Sequence, residues 1–178
     1  LTHGKQVNPI LVIEPTTTAW MYQEDPAHAA QLKQVGDTFF DLLMGPERAQ
    51  VEYDIGCEDV MARHGSVEND TLRIGQRAYL MVVLPPKTET LNAKTMELLE
   101  SYAKAGGRII ACDVPPALVD GRPSDRGPKL AQSPGWKQFA AALVPDKLAP
   151  TLGADTFAVR RAKDDKGILF HQRRQFQD

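Results

Sequence analysis

Three short runs with almost no polar residue constrain this chain more than anything else in it: Pro9-Ile-Leu-Val-Ile13, Tyr79-Leu-Met-Val-Val-Leu84 and Arg108-Ile-Ile-Ala-Cys112. A strand with one wet face alternates apolar and polar residues. A run that is apolar throughout belongs to a strand covered on both faces, as in parallel sheets packed between helices.

The segments between the runs supply the covering elements. Asp25-Pro26 pairs an N-cap residue with proline at the first helical position. Leu32, Val35, Phe39 and Leu42 then recur at helical spacing, and Gly45-Pro46 is expected to end that helix. Val51, Tyr53 and Ile55 alternate with polar residues as a second strand. Glu58 to His64 reads as a short helix closed by Gly65, and Val67 to Ile74, with Asn69-Asp70 between, as a small hairpin or an irregular excursion. Pro85-Pro86 stops the next strand. Asn92 is placed to cap a helix with Leu91, Thr95, Leu98 and Tyr102 on one side, and Gly106-Gly107 ends it. Glu14 to Tyr22 is expected to be a loop, and so is the proline- and glycine-rich stretch Val114 to Gly135. Ser133-Pro134 predicts a further helix through Trp136, Phe139 and Leu143. Phe157 and Val159, a turn at Asp164-Asp165-Lys166-Gly167, and Ile168 to Arg173 predict a terminal hairpin. The order is that of an α/β protein with a mostly parallel sheet, flavodoxin-like in outline, ending in a C-terminal β-hairpin. The expected division is residues 1–153 for the α/β unit and 154–178 for the hairpin. The hairpin forms either an edge of the same unit or the start of a following β domain. A chain opening on Leu1 and ending at Asp178 on such a strand is expected to be a piece of a larger protein.

Composition narrows the function classes. With 21 basic and 23 acidic side chains the net charge is −2, which does not favour nucleic acid as a partner. No apolar run approaches the ~20 residues of a membrane span. Cys57 and Cys112 are the two cysteines and form no CxxC pair. His3, His28, His64 and His171 are scattered without HExxH or Cys/His spacing, so no metal site is expected, and no cofactor. Neither GxGxxG nor GxxxxGK[ST] occurs.

Ligands in an open α/β sheet sit outside the carboxyl ends of the strands. In the predicted order those ends carry Glu14, Asp54, Pro85 and Asp113, so three carboxylates are expected at one crevice. They either form a polar-ligand, cation or acid/base site, or cap the helices and turns beside their own strands. Thr16-Thr17-Thr18-Ala19-Trp20 follows the first strand. Its hydroxyls and indole suit a sugar; the alternative is a turn with Trp20 packed on the core. Cys112 ends a strand, as the nucleophile of class I glutamine amidotransferases does. Its neighbours, Ile110-Ala-Cys-Asp-Val-Pro115, lack the flanking glycines of a nucleophile elbow, and no His-x-Glu follows, so buried structural cysteine is expected. Arg160, Arg161, Lys163, Arg173 and Arg174 gather basic charge near the end, as a solvated face or a domain contact.

Tyr79-Leu-Met-Val-Val-Leu-Pro85, with Leu91, Thr95-Met-Glu-Leu-Leu99 and Tyr102-Ala-Lys-Ala-Gly-Gly-Arg-Ile-Ile110, resembles the trimerisation-like domain of bacterial glycoside hydrolases. That domain occurs in family 42 β-galactosidases and, with closer likeness, in large α-L-rhamnosidase-like enzymes. Ile10 to Trp20 looks like the first strand of the latter group, and Phe170-His-Gln-Arg-Arg174 like its crossing into a β-sandwich. The resemblance implies a glutamine-amidotransferase-like three-layer fold without amidase chemistry, packed beside a catalytic barrel that this chain does not contain. It implies a non-catalytic accessory domain of a carbohydrate-active hydrolase, one that acts on α-L-rhamnosides or related glycosides, in the periplasm or outside the cell. Its partners would be an upstream barrel and a downstream β-sandwich. Ligand-facing candidates are Glu14, Thr16, Trp20, Asp54 and Asp113, and none is assigned as catalytic. The alternatives are a sugar-binding module and a Cys112-dependent amidase.

Overall fold

The computed structural model describes residues 3–148, 159, 162, 167 and 172–176. Five strands form one sheet: β1 (Ile10–Ile13), β2 (Asp54–Gly56), β3 (Met81–Leu84), β4 (Arg108–Ala111) and β5 (Trp136–Gln138). They lie in the order β2-β1-β3-β4-β5, and every neighbouring pair is parallel. Ile10, Leu11, Val12 and Ile13 are all buried, as are the four residues of β3. Alternate side chains enter two different cores. Ile10, Val12, Met81, Val83 and Ile110 meet one set of helices; Leu11, Ile13, Val82, Leu84 and Ile109 meet the other. The protein is thus α/β, with a parallel sheet flanked by helices on both faces.

Helix α1 (Thr16–Gln23) leads through the 3₁₀ turn Pro26–His28 into α2 (Ala29–Ala49). Asp25 caps that turn as expected, its carboxylate accepting from the Ala27 N–H at 2.9 Å. Leu42 of α2 and Val144 and Leu148 of α6 (Val144–Leu148) close one core. The opposite core takes Met61 from α3 (Glu58–His64), Met96, Leu99 and Tyr102 from α4 (Ala93–Lys104), and Leu130 from α5 (Arg126–Leu130). A meander of Gly65–Glu68, Thr71–Ile74 and Arg77–Tyr79 stands beside that core and contributes Leu72 and Tyr79. Of the two readings for Val67 to Ile74 the hairpin is the one present, with Asn69 at φ 54 in its turn and a third strand added.

Several expectations are corrected. Glu14 to Tyr22 is not a loop, because α1 begins directly after Pro15. Threonine is a weak helix former, but Thr18 is fully buried, and its hydroxyl receives the Glu89 and Thr90 N–H groups at 3.1 and 3.2 Å. Tertiary hydrogen bonds here override local propensity. Gly45-Pro46 does not end α2. Proline forfeits one helical bond, and the chain runs one more turn until Gln50 caps it at φ 58. The second strand starts at Asp54, and Ile55 on this sheet edge is half exposed. Asn92 occupies the cap position of α4 without a capping side chain; the Asp120 carboxylate receives the Ala93 N–H instead, at 2.9 Å.

The Val114–Gly135 stretch is not plain loop. Leu118–Val119 pairs with Arg122–Pro123 and, in parallel, with Thr90–Leu91, and α5 follows. Trp136 opens strand β5 rather than a helix. Three residues are too few for a period to be read, and docking decides the matter. A Cβ at Gly135 would lie 2.0 Å from the Gly107 carbonyl oxygen, so only glycine lets this segment reach β4.

The expected terminal hairpin lies outside the described residues, apart from Val159, Ala162, Gly167 and residues 172–176. Within these, Arg174–Gln175 pairs antiparallel with Lys5–Gln6. Arg173 reaches the buried Glu52 carboxylate with Nε at 2.6 Å, which anchors the segment beside it.

Candidate functional site

The sheet order turns between β1 and β3, the place where crevices open at the carboxyl ends of parallel strands. Glu14 continues β1 there, and its N–H donates to the Gly56 carbonyl at 2.9 Å, tying it to the end of β2. Thr16 is the half-buried first residue of α1. Trp20, one turn on, is 63% exposed and so is not a core residue. Asp113 follows β4, with Oδ1 accepting the Val114 N–H at 2.9 Å. It borders a cleft of about 430 Å³ shared with Lys87, Glu89 and the exposed Val114, and Glu14 does not line that cleft.

Asp54 is elsewhere. It opens β2 instead of closing it, which puts it at the opposite end of the sheet from Glu14 and Asp113. Its carboxylate accepts from Asn8 Nδ2 at 2.6 Å, Tyr79 Oη at 2.8 Å, and Arg77 Nη2 and Nε at 2.7 and 3.0 Å. Arg77 also donates to the Gln6 carbonyl. Burial, then the bond to the Asp54 carboxylate, raises the Tyr79 hydroxyl well above the usual phenol range. Asp54 is a brace between the N-terminal segment, β2 and the meander, and the expected convergence of three carboxylates does not occur. The sequence reading missed this because alternation at Val51, Tyr53 and Ile55 started the strand three residues early.

The crevice contains other polar residues that the sequence reading passed over. Glu58 is buried in the first turn of α3. One oxygen accepts the Thr17 hydroxyl at 2.5 Å and the other the Asn92 N–H at 2.7 Å, so a single carboxylate ties α1, α3 and the start of α4. Glu89 accepts the Tyr22 hydroxyl at 2.6 Å; that bond, with burial, pushes the phenol up to about 12. A carboxylate in the first turn of a helix is ordinary there, where it meets the positive end of the helix dipole, and nothing local marks it as a tertiary tie.

These groups are occupied with one another. Burial, and secondarily Asp113, pushes the Cys112 thiol up to about 12, so it is protonated at neutral pH. Cys57 is exposed just before α3. His28 is engaged with Asp25 at 3.0 Å, and His64 ends α3 away from either thiol's strand end. Among the described residues no three His, Cys, Asp or Glu side chains gather as a metal site, and no helix is long and apolar enough to cross a membrane.

Compared with known proteins, the chain matches no family model, and no curated protein matches it.

Proposed function

We propose that this chain is a non-catalytic accessory domain of a carbohydrate-active glycoside hydrolase, built on a flavodoxin-like, glutamine-amidotransferase-like three-layer frame. The observation that carries the proposal is a strand order of 2-1-3-4-5 whose crevice has no activated nucleophile among the described residues. All five strands are parallel, which suits that frame. The thiol at the end of β4 is held protonated by burial, and the crevice carboxylates Glu58 and Glu89 are committed to Thr17, Asn92 and Tyr22. Nucleophilic catalysis needs a thiolate and a base beside it, so the amidase alternative loses support. The acids that cleave the glycosidic bond, in α-L-rhamnosides or related substrates, would reside in an upstream barrel. The partners would be that barrel and a downstream β-sandwich, in the periplasm or outside the cell.

The reading frame on either side of this segment provides the test. A (β/α) barrel with two placed carboxylates upstream and a β-sandwich downstream is the expected outcome. A frame encoding this unit beside unrelated domains, or turnover of aryl glycosides by this unit alone, overturns the proposal.

One observation favours a second role, as a sugar-binding module. Trp20 is largely exposed on α1, one turn from Thr16, and an indole face next to hydroxyls is a stacking surface for a sugar ring. Titration with mono- and oligosaccharides, followed by indole fluorescence and repeated on Trp20→Ala, checks it. A fluorescence shift that the variant lacks is the supporting result.

A further inference from the structure

The largest cavity in the described part of the molecule, of about 890 Å³, is not at the strand-end crevice but beside the starts of β4 and β5. Its lining comes from both faces of the sheet, and the ladder register sorts the two sets. Residues paired across parallel strands point to the same face. Met81 pairs with Arg108, and Ile110 with Lys137. Met81 and Ile110 belong to the core that α2 and α6 close, so Arg108 and Lys137 stand on that face. Phe139 follows Lys137 by two residues and packs against the same core, its N–H donating to the Ala111 carbonyl at 3.0 Å. Lys147 comes from α6 and lies over the Phe139 ring, 5.2 Å from its centroid. Glu100, Lys104, Lys129 and Leu130 line the cavity from α4 and α5, on the opposite face.

The two faces answer charge differently. On the α4 and α5 side, Glu100 is taken by Arg126 in a two-pronged pair at 2.8 Å each, and Lys129 is held by Asp125 at 2.6 Å. On the α6 side, Arg108, Lys137 and Lys147 are exposed, none has a carboxylate partner among the described residues, and no acidic side chain lines the cavity there. These cations are neighbours. Strand spacing and rise put the Cα atoms of Arg108 and Lys137 about 8 Å apart, and those of Lys137 and Phe139 about 7 Å apart. Long side chains span such distances. The Phe139 ring fixes the third cation by a cation–π contact. A chain with a net charge of −2 thus gathers three unanswered cations around Met81, Ile110 and Phe139 on one face. A bound anion relieves their mutual repulsion.

We infer that this face of the cavity binds a small organic phosphate with an apolar body. The phosphoryl group sits between Arg108, Lys137 and Lys147, the guanidinium making a two-pronged contact and the ammonium groups acting as point charges. The body lies on Met81, Ile110 and Phe139. A phosphomonoester carries about two negative charges at neutral pH, and so answers more of the three cations than one carboxylate does. The inference rests on this cavity alone and stands whether or not the carbohydrate proposal does.

The probe is phenyl phosphate, titrated into the full chain at neutral pH and low salt and followed in ¹H–¹⁵N spectra. Saturable shifts are expected at the Lys137 and Phe139 amides. The double substitution Arg108→Ala with Lys137→Ala is expected to weaken binding at least tenfold. Lys104→Ala, on the opposite face, should leave it unchanged. These side chains are exposed and can be removed without unfolding, which circular dichroism verifies. Inorganic phosphate, which lacks the body, and benzoate, which has one charge, should each bind several times more weakly. Absence of saturable shifts overturns the inference. An equal loss in Lys104→Ala also overturns it, because general positive charge then attracts any anion. Equal binding of benzoate or of inorganic phosphate has the same force, removing the need for the second charge or for the apolar floor. Cosedimentation with vesicles containing phosphatidic acid, without binding of phenyl phosphate, assigns the cations to a membrane surface and likewise overturns it.

Discussion

The crevice at the carboxyl ends of the strands and the cavity beside β4 and β5 hold their polar side chains in opposite states. In the crevice, Glu58, Glu89, Thr17, Thr18 and Tyr22 satisfy one another, and the groups that look reactive are structural ties. Near the starts of β4 and β5, Arg108, Lys104, Lys137 and Lys147 line a cavity of about 890 Å³, and no carboxylate answers them among the described residues. A buried polar group must be hydrogen-bonded where it sits; a solvated cation at a rim is free to meet a ligand. The state of pairing, more than the residue type, separates architecture from available chemistry.

The largest effect expected is at the brace on the far side of the sheet. Asp54→Ala removes an acceptor shared by Asn8, Tyr79 and Arg77 and strands a guanidinium that is only 25% exposed. Unpairing a partly buried charge of this kind costs about 3–4 kcal/mol, to be read as a lower urea midpoint at unchanged slope. A loss under 1 kcal/mol would show that the brace is solvated in solution. Glu58→Gln tests the crevice itself. The amide oxygen can take the Asn92 N–H while its NH2 donates to the Thr17 hydroxyl, so the loss, about 1 kcal/mol, comes from replacing charge-assisted bonds by neutral ones. Cooperative unfolding is expected to persist in this variant.

Titration sharpens the comparison next. Tyr22 and Cys112 both have protonated forms favoured by the fold, each up to about 12, above their ordinary values. Raised folded values mean stability that is fully present below the ordinary values and is lost as pH climbs through the folded ones. Stability is therefore expected to decline from about pH 9 to about pH 12, and Tyr22→Phe to remove part of that decline. At pH 8 a thiol reagent should label Cys57 quickly and Cys112 only on unfolding; two fast thiols would contradict the burial of Cys112. The smallest effect belongs to the cavity. Lys137→Ala and Lys104→Ala should each change stability by less than about 0.5 kcal/mol, because neither side chain has a charged partner among the described residues.

Elements with a strong pattern were legible in advance. The apolar runs at Ile10–Ile13, Met81–Leu84 and Arg108–Ala111 are strands, the Asp25-Pro26 signal starts the second helical segment, and Glu58–His64 is a helix closed at Gly65. Elements made by contact were not. Helix α1 accommodates Thr18 through bonds with Glu89 and Thr90, more than sixty residues away. Strand β5 exists because Gly135 and Gly107 permit a close approach. Of the candidate site residues, Glu14 and Asp113 lie at the strand ends as expected. Thr16 and Trp20 are on helix α1, not in a loop, and Asp54 is at the opposite end of its strand. A three-residue error in where β2 begins is enough to carry a side chain from one end of a strand to the other.

The class of protein was written locally. Runs apolar at every position admit only doubly covered strands, and capped, periodic segments between them supply the cover. Which carboxylates are bound, which thiol is protonated and which cations stand unpaired depended on the folded arrangement. Those properties are set by distances between residues remote in the chain, such as Thr17 and Glu58 or Asp54 and Arg77. No pattern of neighbours encodes such distances until the two cores have brought the elements together.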